Sequence, residues 1–155
     1  MSQPDLDKVR QSIRAHLLSS LEGQFRSEYI AYENRVFTPP PLYDALSKLP
    51  NLWLRETFFP ITDQPYALEL HETRGRTLFE IFSPVGSGTE RPEALRKLIA
   101  DAFEKKYGLT TVAGIAVHLD RVSRDQGRKA DDLWWSTPLS VYWRTYSVAT
   151  VNRTT

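Results

Sequence analysis

Between Phe37 and Pro65, six prolines (Pro39, Pro40, Pro41, Pro50, Pro60 and Pro65) are threaded through Tyr43, Leu46, Leu49, Leu52, Trp53, Leu54, Phe58 and Phe59. Each proline fixes φ and removes an amide donor, so no long helix can run through this stretch. Its apolar side chains need burial, so it is not a flexible polar linker either. Residues 37–65 are therefore expected to form a structured excursion with short edge strands, covering either the protein's own core or a neighbouring subunit. The rest of the 155 residues must supply that core. Residues 1–155 are one domain's worth of chain, and a domain of this size buries roughly 70% of its unfolded surface without needing a metal or disulfide.

Around the excursion the hydrophobic pattern separates cleanly into helices and strands. Leu6, Val9, Ile13, Leu17 and Leu21 recur at spacings of three and four among polar residues. They predict an amphipathic helix starting near Ser2, Pro4 and Asp5 and stopping at Gly23, packed on its own sheet. A second helix is predicted over about 92–107, with Leu95, Leu98, Ile99, Ala102 and Phe103 on its inner face, Pro92 in its first turn and Gly108 as its stop. Strands are predicted at Ala67–Thr73 and Thr77–Ser83, turning at Arg74-Gly75-Arg76, and again at Val112–Val122 and Pro138–Thr150 with a polar loop from Ser123 to Asp132. Helix, hairpin, helix, hairpin gives an α+β fold: a single mixed or antiparallel sheet with both helices packed on one face.

Chemistry is sparse along this chain. There is no cysteine, which removes disulfides, thiolate zinc sites and cysteine nucleophiles together. His16, His71 and His118 lack metal-ligand spacing, although His71, His118 and Glu69 on adjacent strands are a thinkable composite site. Gly86-Ser87-Gly88 is followed by Thr89-Glu90-Arg91-Pro92 rather than Gly-Lys-Ser/Thr, so it reads as a strand-to-helix turn and not a phosphate cradle. No serine sits in a nucleophile elbow. No catalytic, metal or cofactor site is assigned, and the chain is expected not to be an enzyme. Twenty basic residues against nineteen acidic leave a net charge of +1, too balanced for a wholly nucleic-acid- or lipid-gripping surface. Neither a membrane span nor a signal peptide is apparent, so an intracellular protein is expected.

What stands out is aromatic and basic. Arg121, Arg124, Arg128 and Lys129 precede Trp134 and Trp135, with Asp120, Asp125, Asp131 and Asp132 matching the four cations in number. Mixed charge with tryptophan suits a protein interface better than phosphate binding. With Tyr43 and Trp53 of the excursion, these are the candidate interface residues. The alternative is a solvated loop closed by two core tryptophans.

The order of these pieces resembles a known family. An N-terminal amphipathic helix, Val36-Phe37-Thr38-Pro39-Pro40-Pro41, a strand into Phe82-Ser83-Pro84-Val85-Gly86, the helix from Arg91 to Tyr107 and the closing Asp132-Leu133-Trp134-Trp135-Ser136-Thr137-Pro138-Leu139-Ser140-Val141-Tyr142-Trp143-Arg144 are similar to the tail terminator (tail completion) proteins of long-tailed bacteriophages. The resemblance implies a small α+β protein forming a homo-hexameric ring at the head-proximal end of the virion tail, assembled in the host cytoplasm. Its implied partners are itself, the tail tube protein and a neck or head-completion protein; DNA is passing cargo, and no membrane or cofactor takes part. A neck or minor tail protein of related fold is the alternative, followed by a small enzyme or ligand-binding domain using His71 and His118.

Overall fold

The computed structural model describes residues 6–67, 70–104, 108–110 and 116–148. Helix α1, Leu6–Leu21, leads through a short 3₁₀ turn at Ser27–Tyr29 into strand β1, Ile30–Ala31. After the excursion come β2, Trp53–Ala67, and β3, Leu70–Pro84, then helix α2, Glu90–Glu104. Strands β4, Gly108–Thr110, β5, Ala116–Arg124, β6, Arg128–Lys129, and β7, Trp134–Val148, complete the order. The strands form one sheet in the order β1-β2-β3-β7-β5-β4, with β6 on the end of β7; β1 runs parallel to β2 and every other pairing is antiparallel. The α+β architecture is the one the periodicity predicts.

Both helices lie on one face of the sheet. Val9, Ile13, Leu17 and Leu21 of α1 and Leu95, Ile99, Ala100 and Phe103 of α2 share a single buried cluster with Leu54, Phe58, Phe79, Ile81, Val117, Leu139, Val141 and Trp143 of the sheet. Gly23, at φ +76°, ends α1 as expected for a left-handed position that favours glycine. The predicted cap at Ser2 to Asp5 lies outside the described residues, as do the end of α2 at 105–107 and the first residues of the predicted strand at 112–115. Helix α2 starts at Glu90, ahead of the apolar periodicity, because its first-turn amides need no intrahelical partner and Pro92 fits there.

The hairpin is not where the sequence suggests. Arg74-Gly75-Arg76 lies in the middle of β3, and the reversal falls between Ala67 and Leu70. Gly75 is a notch rather than a turn: a Cβ there would stand 2.1 Å from Trp143 Cζ2 and 2.7 Å from the Phe59 carbonyl oxygen. The indole filling that notch stacks on Phe58 at 5.0 Å. The expected short edge strands of the excursion are likewise replaced by one strand of 15 residues, β2. Since β1 pairs only with Leu54 and Arg55, most of the outer edge of β2 has no neighbour among the described residues. Pro60 and Pro65 fall at register shifts on this edge strand, where a missing amide is tolerated.

One ion pair fastens helix to sheet. Glu56 of β2 is 1% exposed and accepts two hydrogen bonds from Arg14 of α1, at 2.8 and 2.9 Å. Between the helices, His16 Nε2 donates to the Ala102 carbonyl at 2.8 Å, with its ring edge-on to Phe103.

Candidate interaction surfaces

The Pro-rich excursion divides its apolar residues between two jobs. Phe37, Leu42 and Trp53 turn inward onto a second buried cluster with Ala31, Phe82 and Trp134, on the sheet face opposite the helices. Here Trp53 stacks on Phe82 at 4.0 Å and meets Trp134 edge-on at 5.9 Å. The outward residues are Val36 and Leu46, fully exposed or nearly so, with Leu49 and Tyr43 about half exposed. This projection is folded: Asp44 Oδ1 accepts from the amides of Leu46 and Ser47 at 2.9 and 2.8 Å, and Tyr43 bridges to Pro50. Those amides, Ser47 first, hold the Asp44 carboxyl below its ordinary value.

The segment from Arg121 to Trp135 also separates into parts. Arg121 lies on the face away from the helices, its guanidinium 4.1 Å from the Tyr142 ring centre. Arg124 turns the other way, pairing with Glu104 of α2 at 2.8 Å, and that hydrogen bond raises its pKa further. Arg128 and Lys129, expected in a loop, form β6 against Ser136 and Trp135 and are exposed. Trp134 is buried in the second cluster, whereas Trp135 is half-buried with its indole against Gly127. Trp53 and Trp134 thus pack within the protomer, while Tyr43, Arg121, Arg128 and Lys129 face solvent. The numerical match of cations and carboxylates is not a spatial one. Asp120 pairs with Arg144, Asp131 accepts from the Leu133 and Trp134 amides, and no ion pair among the described residues includes Arg128 or Lys129.

The composite histidine site is not assembled. His71 is level with Ser147 and His118 with Arg144 on the shared neighbour β7, an odd offset that puts them on opposite faces. Glu69 lies outside the described residues. In the Gly86–Gly88 turn the Ser87 amide and hydroxyl both donate to the Pro84 carbonyl, so this amide is not free for an anion. Among the described residues no three His, Asp or Glu side chains converge as metal ligands, and no helix is long and apolar enough to cross a membrane. A cleft of about 900 Å³ between α2 and residues 23–29 and 50–52 is lined by Phe25, Leu52 and Leu98, and two of its charged groups, Lys97 and Asp101, pair with each other at 2.8 Å.

These features define a small α+β protein distinguished by its surfaces: one sheet face closed by helices, the other without a helix among the described residues, and a folded projection with outward apolar side chains. The chain belongs to the phage tail terminator protein family, whose profile matches residues 9–143, from the first turn of α1 into β7. A solved structure at 19% identity superposes with a TM-score of 0.64, covering 97% of this chain and 100% of the other, and shows the same fold. No curated protein matches the sequence significantly.

Proposed function

We propose that the protein closes the head-proximal end of the phage tail as a ring of identical subunits, stopping tube growth and offering the next surface for neck attachment. The observation that carries this reading is the family match across residues 9–143. The geometry supports it physically. A closed ring uses head-to-tail contacts, so each subunit needs two unlike faces. The excursion tip, with Tyr43, Leu46 and Leu49, is one apolar face; the rim carrying Arg128, Lys129 and Trp135 is a charged one. Terminating a polymer requires one face that matches the tube and another that does not propagate it, with no turnover.

Adding the purified protein to polymerising tail tube subunits is expected to arrest elongation, and the native mass of the arrested ends to show a multiple of the subunit, a hexamer. Tubes that lengthen at an unchanged rate, or a protein that stays monomeric with and without tube subunits, would overturn the reading. Arg128→Glu with Lys129→Glu is expected to impair arrest while leaving the protomer folded. Arg124 is left out of that variant because reversal would set a carboxylate against Glu104.

A further inference from the structure

The sheet face that carries no helix among the described residues is built from long side chains lying across it, and its charge is uneven. Arg55, Arg74, Arg76, Arg121, Arg144 and, level with Ser136 on β6, Arg128 share this face with Glu72, Glu80 and Asp120. Six cations against three carboxylates leave a surplus of three, on a chain whose whole net charge is +1. Fourteen basic and sixteen acidic residues remain for the rest of the molecule, from totals of twenty and nineteen. The carboxylates are already engaged: Glu80 with Arg55 at 2.7 Å, Glu72 with Arg74 at 2.5 Å and Asp120 with Arg144 at 3.2 Å.

Two of the three surplus cations share one row, and Arg128 stands apart from them on β6. Phe59, Arg76, Tyr142 and Arg121 are direct register partners across β2, β3, β7 and β5. Arg76 lies 4.7 Å from the Phe59 ring centre, and Arg121 lies 4.1 Å from that of Tyr142. Neither guanidinium has a carboxylate partner among the described ion pairs. Arg121 reaches this face only because the register of β5 shifts between Leu119 and Arg121. Without that bulge, strict alternation would send it to the helix side with Leu119. Phe59 and Arg121 are exposed, and Arg76 and Tyr142 are partly so.

We infer that this row is a docking site for an acidic polypeptide segment of a partner protein. Two strand spacings set Arg76 and Arg121 about 10 Å apart at the backbone, close to the separation of carboxylates two turns apart on a helix. A guanidinium over an aromatic ring can still donate its N–H groups to a carboxylate, and arginine and tyrosine are among the residue types enriched where protein interfaces concentrate their affinity. A run of phosphates needs a continuous track of free cations, which Arg55, Arg74 and Arg144 do not supply because each is paired with a carboxylate, and this favours a protein segment with a few carboxylates over nucleic acid. The inference does not rest on ring formation.

The test measures binding of a Glu-rich helical peptide, its Gln counterpart and duplex DNA to the full chain and to Arg76→Gln/Arg121→Gln. The Glu peptide is expected to bind, more weakly as salt rises, and to lose about tenfold or more in the double variant. Arg35→Gln/Lys48→Gln, which removes two exposed cations off this face, is expected to bind as the parent does. Unchanged peptide binding in the Arg76/Arg121 variant, no peptide binding by the parent, or tighter binding of duplex DNA would each overturn the inference. Native mass measured on the same samples reports ring formation separately, and retained melting temperature confirms that the double variant is folded.

Discussion

The two faces of this sheet solve the same problem, how to cover long strands, with opposite materials. On the helix side, α1 and α2 bring leucine, isoleucine and phenylalanine down onto Phe79, Leu139, Val141 and Trp143, and one charged pair, Arg14–Glu56, is carried into the interior. On the other side, only the end near Trp53 and Phe82 is roofed by apolar residues of the excursion. Beyond it, arginines laid over rings and carboxylates screen the strands, so that Glu72 is fully buried beneath a face without a helix among the described residues. The difference implies that stability depends on the first face, while the second is free to carry recognition.

The largest break in that contrast should come from Arg14→Ala. It leaves Glu56 buried with its main partner gone, and breaking one half of a buried ion pair typically costs about 3–5 kcal/mol. Urea denaturation is the check, and Arg14→Leu combined with Glu56→Leu should recover much of the loss by replacing charge with apolar contact. A loss below about 1 kcal/mol for the single variant would mean that solvent reaches Glu56 and the face is less closed than its burial indicates.

Next in size is Gly75→Ala, which drives a Cβ into the indole of Trp143 and the Phe59 carbonyl. Overpacking of this kind costs about 1–3 kcal/mol, and Trp143→Phe in the same chain should return part of it. Gly75 also marks where sequence reasoning stops. Helix periodicity was legible because a 3.6-residue stripe needs only local spacing, and α1, α2 and the Gly23 stop follow it. Glycine flanked by arginines has the local signature of a turn, and nothing in the sequence tells that Trp143, 68 residues later, requires the missing Cβ. The prolines pointed to short edge strands; β2 does lie largely at an edge, but it runs for 15 residues because register shifts beside Pro60 and Pro65 absorb the missing amides, and those depend on the pairing with β3. Of the candidate interface residues, Arg128, Lys129 and Tyr43 are exposed, and which tryptophan is buried was open: Trp134 points into the second cluster and Trp135 away from it. The row containing Arg76 and Arg121 was illegible, because it depends on cross-strand register and on the bulge at Asp120.

A smaller effect is expected at high pH. Burial, then the Glu56 carboxylate, raises the Tyr32 phenol above its ordinary value of 10.0, with Arg14 and Arg35 opposing. A raised pKa means the folded state favours the protonated phenol. That stability is fully present below pH 10, and is lost as the pH climbs through the folded-state value. Tyr32 is half-buried beneath the Arg14 guanidinium, 4.5 Å from its ring centre, so solvent screens much of the effect. Melting temperature against pH should fall less steeply above pH 10 in Tyr32→Phe than in the parent; equal slopes would place the ring in free solvent and loosen the α1 end of the covered face.

The smallest change in stability should come from the open face, and its smallness is the point. Arg121→Ala removes an exposed guanidinium stacked on Tyr142, an interaction of about 0.5–1 kcal/mol at an exposed site. No carboxylate among the described ion pairs is left unpaired by its loss, and no apolar core is opened. Thermal unfolding should therefore move by at most a few degrees. A loss matching that of Gly75→Ala would show that the arginine layer is structural cover, as indispensable to its face as α1 and α2 are to theirs. A shift within the expected range leaves the bulge at Asp120 without a role in holding the fold. What it does accomplish is to bring Arg121 beside Tyr142 and level with Arg76, an arrangement whose effect would then have to be sought in binding.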